Sequence, residues 1–202
     1  MDTETEVKSN VENLQLYSES HPFSLSLRMK NFDSEASYKK FVRNCEGIIR
    51  KSIEYKLWRN YIVDVLKINT CTITHETMAE VTIEVHHHIP SLYVLVKSLV
   101  NKCIEAGEEF CIFDICTGAI ELHFKNKIGY VTLLRSMHEK FHNGALDIPI
   151  EFIKGDFHYY MQKYLDYLDD EDIDKMQYRM AMKEANCNWV RNNYPAAMAE
   201  AL

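Results

Sequence analysis

The chain lacks the features that mark secreted and membrane proteins. Its six cysteines include no C-x-x-C pair, and 202 residues are too many for a small scaffold held by disulfides. No stretch approaches the roughly 18 uninterrupted apolar residues of a transmembrane helix. The acidic N-terminus has neither the basic nor the apolar region of a signal peptide. We therefore expect a soluble cytoplasmic protein with reduced cysteines and no membrane partner.

An excess of positive charge is also missing. The net charge is −7 at pH 7, which argues against a protein whose whole surface binds nucleic acid. A local basic face is compatible with this net charge. The sequence contains no internal repeat and no low-complexity segment. With 47% apolar residues, the chain is long enough for one sizeable core or one domain with an irregular extension.

Histidine is the residue type that stands out. His86, His87 and His88 follow a β-branched run, and His138 and His142 come about fifty residues later at positions i and i+4. Such a pattern is hard to explain as packing, because histidine is costly to bury unpaired. On a helix, positions i and i+4 share a face, so both rings can turn toward the same ion. The pattern predicts a metal site completed by a strand-borne histidine.

Periodicity predicts a chain that mixes helices and strands. β-branched and alternating residues predict strands over Phe23–Met29, over Thr70–Val85 around a turn near Glu76-Thr77, and over Gly129–Leu133. Helical spacing predicts helices over Ser37–Trp58, Leu92–Cys103, Tyr159–Tyr167 and Asp172–Trp189, with a short element over Ile112–Phe124. A further helix is predicted to bear His138 and His142 and to stop at Asn143-Gly144. These elements divide the chain into a flexible arm (1–20), a strand with a basic helix (21–68), a core (69–158) and a C-terminal helical extension (159–202).

The order of strand, histidines, second strand and histidine-bearing helix resembles the HNH, or ββα-metal, nuclease motif. Residues 83–87 with Pro90 look like the first-strand signature of that family, and residues 131–144 look like its second strand and helix. Roughly residues 71–164 are also similar to HNH-like proteins of large tailed bacteriophages, including the Gly155-Asp156-Phe157 stretch. The resemblance implies an α+β fold in which a ββα-metal (HNH-like) core carries a helical insertion and flanking helices.

The resemblance also implies roles for individual histidines. His86, His138 and His142 match the metal-binding positions, and His87 matches the general base that activates water for attack on phosphorus. Because neighbouring side chains on a strand point to opposite faces, His86 and His87 must have different roles. By the same alternation His88 points with His86, so the register within the triplet is open by one or two residues.

Three further residues are candidates for an outer shell or an alternative ligand: Glu84, His88 and His123. Glu84 is expected either to orient a histidine or to be an exposed strand carboxylate. For His123, an isolated histidine, a structural or surface role is the simpler interpretation.

The sequence departs from the family pattern in three places. Where the family holds a structural zinc with two C-x-x-C pairs, this chain has Cys71, Thr74, Leu134 and Met137, so that zinc is not expected and the apolar pair is expected to fill a core. The family's asparagine falls near Gly129, with Asn126 close by. The spacing between the histidine groups implies an insertion of roughly 25 residues, around 95–120. Such an insertion is either a tolerated surface excursion, because the cost of loop closure rises slowly with length, or the mark of a domain retained as a scaffold after losing catalysis.

One helix concentrates positive charge. Lys39, Lys40, Arg43, Arg50 and Lys51 belong to a basic island within the helix predicted over Ser37–Trp58. These residues are predicted to contact DNA phosphates. A solvated helix face is the alternative interpretation.

Two functions fit these patterns. The first is a metal-dependent HNH-type endonuclease that hydrolyses DNA phosphodiester bonds, is encoded by a phage and acts in the host cytoplasm. The second is a catalytically inactive HNH-like scaffold that serves as a phage structural or protein-binding component with a phage protein partner. One divalent ion is expected, with zinc, nickel, magnesium and manganese left open: three imidazoles suit zinc or nickel, whereas magnesium prefers oxygen ligands and several waters.

Overall fold

The computed structural model describes residues 32–77, 82–183 and 187. Within this part, the chain forms seven α-helices, α1 (Glu35–Lys51), α2 (Ile53–Asn60), α3 (Leu92–Ala106), α4 (Ile112–Phe124), α5 (Arg135–His142), α6 (Phe157–Tyr164) and α7 (Asp170–Ala181), and two strands, β1 (Ile83–Ile89) and β2 (Gly129–Leu134). Short π and 3-10 turns follow α2 and α6 and precede α6. The arm over residues 1–20 and the strand predicted over Phe23–Met29 lie outside the described residues, as does the end of the helix predicted to Trp189. The class is α+β, as the sequence predicted.

The two strands form one antiparallel sheet that is buried on both faces. His86 lies opposite Val131 and His87 opposite Tyr130, and the register shifts between His87 and Ile89. Helix α5 begins directly after β2 and packs on one face. On the other face, Trp58 of α2 packs against His87 and Tyr130. Burial on both faces explains why β2 is apolar at almost every position instead of alternating.

The basic helix predicted as one element over Ser37–Trp58 is two helices. Ser52 has extended backbone dihedrals, and its side chain accepts a hydrogen bond from the Tyr55 N–H, so it ends α1 and caps α2. Apolar residues keep their helical spacing on both sides of Ser52, which hid the break from periodicity. Both helices contribute to the core, with Cys45 and Ile49 from α1 and Trp58 from α2 fully buried.

The predicted strands around Glu76-Thr77 are mostly absent from the described residues. Thr70 and Thr77 form one isolated bridge, and the first regular strand starts at Ile83. The Thr72 N–H donates to the Thr132 carbonyl, and the Thr132 hydroxyl donates to the Thr70 carbonyl. This segment therefore lies beside β2 without joining the sheet as a strand.

The insertion between the two histidine groups is part of the core and not a surface excursion. Leu95, Val96 and Val100 of α3 are fully buried, as is Ala119 of α4. Helix α1 packs on both α3 and α4. Their apolar faces are too broad to remain on a solvent-exposed loop, so the fold uses the insertion as one wall of its interior. No helix in the described ranges is both long and apolar enough to cross a bilayer.

Candidate metal centre

The candidate site lies between β1 and α5. His86 faces α5 from the middle of β1, because strand side chains alternate between the two faces of the sheet. His138 and His142 lie one turn apart on α5, which is fixed by its direct connection to β2. Asn143 caps the C-terminal end of the helix, and Gly144 adopts a φ of +70°, as the predicted stop at Asn143-Gly144 requires.

The three histidines predicted as ligands meet in one place. One ring nitrogen from each of His86, His138 and His142 lies within 4.8 Å of the other two. The Nε2 atoms of His138 and His142 are 2.8 Å apart. The centroid of the His86 ring is 4.7 Å from the ring centroid of His138 and 5.1 Å from that of His142. A tetrahedral ion bound at about 2.0 to 2.1 Å spaces its ligand nitrogens by about 3.3 Å. The three rings are therefore spaced on the scale that a bound ion requires.

Glu84 supports this cluster from the same strand. Its Oε2 contacts the Nδ1 of His138, while the Nε2 of His138 faces His142. A carboxylate that holds the outer nitrogen of a histidine fixes the ring orientation and the tautomer in which the inner nitrogen is a lone-pair donor. Glu84 and His86 are two residues apart on β1, so the strand places both on the side of α5.

His86 is the buried member of the cluster. It is only 6% exposed, and its Nε2 has no hydrogen-bond partner. Burial, with the neighbouring His138 and His88, lowers the pKa of His86 to about 2. Burial and His138 also lower the pKa of His142, although that side chain is exposed. His86 and His142 are thus neutral at pH 7, the protonation state in which imidazole binds metals.

His87 lies on the opposite face of the sheet from the cluster. Its ring stacks on Tyr55 and Trp58, and its Nε2 is 2.8 Å from the Nε2 of His123. The Nδ1 of His123 is in turn 2.6 Å from the Ala119 carbonyl. Burial lowers the pKa of His87 well below its usual value and that of His123 to about 4. A general base needs to reach a water beside the ion, so this environment favours a structural role for both rings.

His88 occupies a third environment, in contact with the ring of Phe141. The bulge between His87 and Ile89 seats it there with both ring nitrogens buried and without partners. Arg179 of α7 donates to the His88 carbonyl at 2.6 Å and lies over Phe141. Burial, followed by the charge of Arg179, lowers the pKa of His88 to about 3. His88 borders a cavity of about 510 Å³ and is not one of the three clustered histidines.

Two contributors to this environment carried no sequence signal. Phe141 contacts the imidazoles of both His86 and His88, with centroid distances of 4.6 and 5.2 Å. Its apolar character and its position one residue before His142 fit an ordinary core position. Arg179 lies 91 residues from the carbonyl it binds, and no local pattern connects them.

The positions that depart from the family pattern form core and turn structure. Leu134 and Met137 are buried, as predicted, and Cys71 is buried and free. The Thr74 N–H donates to the Cys71 sulfur at 3.4 Å. Asn126 adopts a φ of +55° in the turn between α4 and β2, where its carbonyl accepts from the Asp156 N–H.

The basic residues of α1 are partly neutralised by their own helix. Lys39 pairs with Glu35 at 2.6 Å and Arg50 with Glu46 at 2.8 Å, each one turn away. Lys40, Arg43 and Lys51 are exposed. Positive charge on this face is therefore weaker than the count of Lys and Arg suggests, and the prediction that it contacts DNA remains a prediction.

The chain is similar to one family of known proteins over most of its length. The family model for the bacteriophage G278-like virion protein matches residues 2–194. No curated protein and no solved structure matches the chain. The match spans the sheet, the histidine cluster and all seven described helices.

Proposed function

Because this chain belongs to the bacteriophage G278-like virion protein family, we propose that it is a structural component of the phage particle, fastened internally by one transition-metal ion. The observation that carries the metal is the buried, unpartnered Nε2 of His86 beside the imidazoles of His138 and His142. Its partners are then other phage proteins, and its place is the particle instead of the host cytoplasm. In this proposal β1, β2 and α5 constitute a ββα-metal unit of the HNH type.

The donor set suits a transition ion. Three neutral imidazoles bind zinc or nickel tightly, whereas magnesium and manganese prefer oxygen ligands. His86 on the strand and His138 and His142 on the helix would hold the ion, with Glu84 orienting His138. When bound, the ion would cross-link β1 to α5, and its binding free energy would add to the free energy of unfolding.

Metal analysis of the purified full-length chain tests the proposal. We expect about one equivalent of zinc or nickel by elemental analysis, lost with His138→Ala and retained with His158→Ala, a change at an exposed histidine outside the cluster. Chelation should lower the midpoint of thermal unfolding, and adding zinc should restore it. A chain that binds no zinc or nickel, and whose unfolding is insensitive to chelator, would contradict the metal site.

Glu84 provides a finer test of the same centre. Glu84→Gln should weaken zinc affinity about 10- to 100-fold in competition with a chromophoric chelator, because the amide no longer supplies a charged partner for His138. Glu139→Gln is the matched control, since Glu139 lies on α5 but pairs with the exposed Arg135. Unchanged affinity in Glu84→Gln would remove Glu84 from the site.

A second candidate function is HNH-type hydrolysis of DNA phosphodiester bonds. It is favoured by the same ligand cluster on a strand-strand-helix unit, with His142 open to solvent. The burial of His87 against His123 is the observation that ranks it second. A plasmid-nicking assay separates the two: nicking that needs zinc, nickel, magnesium or manganese and is absent with His138→Ala and His87→Ala would support the nuclease. Under the virion proposal, the plasmid stays supercoiled.

The DNA-binding prediction for α1 has its own test. Replacing Lys39, Lys40 and Arg43 with Glu should weaken DNA binding across sequences and flatten its salt dependence, because phosphate contacts release counterions. The fold should survive, since changes of exposed charge usually cost less than about 0.5 kcal/mol each. If the unmodified chain shows no salt-sensitive DNA binding, only the virion proposal remains.

A further inference from the structure

Helix α2 and the segment that prolongs it carry a second apolar face, which the described structure leaves largely exposed. Tyr55, Trp58 and Ile62 form the buried face. A separate row of four side chains at spacings of four residues is exposed, with exposed fractions of 70% for Ile53, 55% for Leu57, 42% for Tyr61 and 62% for Val65. The row continues from α2 into the π-helical segment Tyr61–Val65 that prolongs it. We call these four residues the α2 ridge.

Exposure of four large apolar residues in one row is costly unless another surface covers them. Single exposed apolar residues are ordinary, but contiguous exposed rows mark interaction sites. Residues at i, i+4, i+8 and i+12 form one of the ridges that fit into the grooves of another helix. The α2 ridge thus has the form of a helix-packing surface.

We propose that the α2 ridge is a self-association surface, on which a second copy of the chain packs antiparallel about a two-fold axis. In the most frequent helix-packing class, rows of this same type interdigitate from both helices. A two-fold interface uses the same patch on both copies, so one ridge supplies both sides.

The charges beside the ridge favour the antiparallel arrangement. Lys56, Asn60 and Asp64 form the neighbouring exposed row, also at spacings of four. Neither Lys56 nor Asp64 has an ion-pair partner among the described residues. An antiparallel two-fold pair places Lys56 of one copy opposite Asp64 of the other, twice, with Asn60 meeting Asn60 at the axis. In a parallel two-fold pair this row would lie on opposite sides of the interface in the two copies, so Lys56 and Asp64 would not pair with each other.

Sedimentation analysis of the full-length chain over increasing concentration tests this proposal. We expect a reversible dimer that forms at micromolar to high-micromolar concentration, because a contact built on one helix is smaller than a standard interface of about 1,600 Å². Leu57→Glu should weaken dimerisation at least about tenfold, since it places a charge at the centre of the apolar row. Phe124→Glu, which changes an exposed apolar residue on α4, should leave it unchanged.

A charge-swap series then tests the orientation. Lys56→Glu alone and Asp64→Lys alone should each weaken the dimer several-fold, because each creates two like-charge contacts. The double variant Lys56→Glu with Asp64→Lys should restore it. A chain that stays monomeric, or a dimer that Leu57→Glu leaves intact, would overturn the proposal. A double variant no better than the single ones would overturn the antiparallel two-fold arrangement.

Discussion

At the residue scale, three adjacent histidines occupy three different environments. Alternation along β1 points His86 toward α5 and His87 toward α2 and α4. His88 lies at the bulge that follows and contacts Phe141. The alternation is predictable from the sequence, because it follows from strand geometry alone. The partner of His87 was not, since His123 lies 36 residues away. His123 does continue the buried spacing of Ile115 and Ala119 on α4, which indicates burial but not a partner.

The buried His123 should make folding stability depend on pH. Its pKa is lowered to about 4 by burial, so the unfolded chain binds this proton below about pH 6.5 and the folded chain only below about pH 4. Stability is therefore lost as pH falls through this window, by up to about 1.4 kcal/mol per pH unit for one proton.

Urea denaturation between pH 4 and pH 7 measures this dependence. His123→Gln should reduce its slope by up to about 1.4 kcal/mol per pH unit, whatever it does to stability at pH 7. His158→Gln changes a histidine that is exposed in the folded protein and should leave the slope as it is. Identical slopes for all three chains would show that His123 titrates normally.

Gly155 is a second residue whose identity is fixed by its surroundings. Its φ is +86°, and a Cβ at this position would lie 2.0 Å from the carbonyl oxygen of Ile128. Gly155→Ala should destabilise the fold by at least about 2 kcal/mol in urea denaturation, because both the dihedral strain and the backbone clash must be relieved. Gly47→Ala, in the open middle of α1, should instead stabilise it by up to about 1 kcal/mol. Equal effects of the two changes would refute this explanation.

At the element scale, strongly periodic segments were predictable and irregular ones were not. The strand predicted over Gly129–Leu133 is β2 to within one residue, and the helix predicted from Leu92 begins there because Ser91 caps it. The break at Ser52 was not predicted, because a helix cap in the middle of the pattern leaves the apolar spacing intact. The core position of α3 and α4 was not predicted for another reason. Periodicity identifies the buried face of a helix but not the element that covers it.

The junction of α3 and α7 depends on a mostly buried ion pair. Lys97 donates to Asp172 at 2.6 Å and also binds Asp169. Although burial alone lowers the pKa of Lys97, the hydrogen bonds to the two carboxylates outweigh it and hold that pKa above its usual value. Lys97→Met should destabilise the fold by about 2 to 3 kcal/mol, since it leaves the buried Asp172 without its cation.

A matched exposed pair shows whether burial is the cause. Lys125 and Glu121 are one turn apart on the surface, and Lys125→Met should cost less than about 0.5 kcal/mol in the same urea denaturation experiment. If Lys97→Met costs no more than this, α7 is not held to α3 by the pair.

At the scale of the whole molecule, the histidine cluster joins parts of the chain that the sequence separates by about fifty residues. Helix α5 and its histidine pair were predictable, because they depend on local spacing, whereas the pairing of β1 with β2 and the approach of His86 were indicated only by the order of the elements. What the molecule does with them was not, since the same ligand set serves a catalytic or a structural ion. Membership of a virion protein family favours a structural ion over a catalytic one.

A substitution at His86 should have opposite effects with and without metal. In chelator, His86→Leu should raise the free energy of unfolding by about 1 kcal/mol or more, because an unpartnered buried Nε2 costs about 1 to 3 kcal/mol and leucine removes it. With zinc at about 1,000 times its dissociation constant, the original chain gains about 4.1 kcal/mol that the variant cannot gain, which is more than the penalty that leucine removes. His86→Leu should then be the less stable chain. Urea denaturation in both buffers measures the two differences. A variant that stays the more stable chain in zinc would mean that His86 holds no ion, and a variant that is already the less stable chain in chelator would mean that the burial of His86 is compensated elsewhere in the fold.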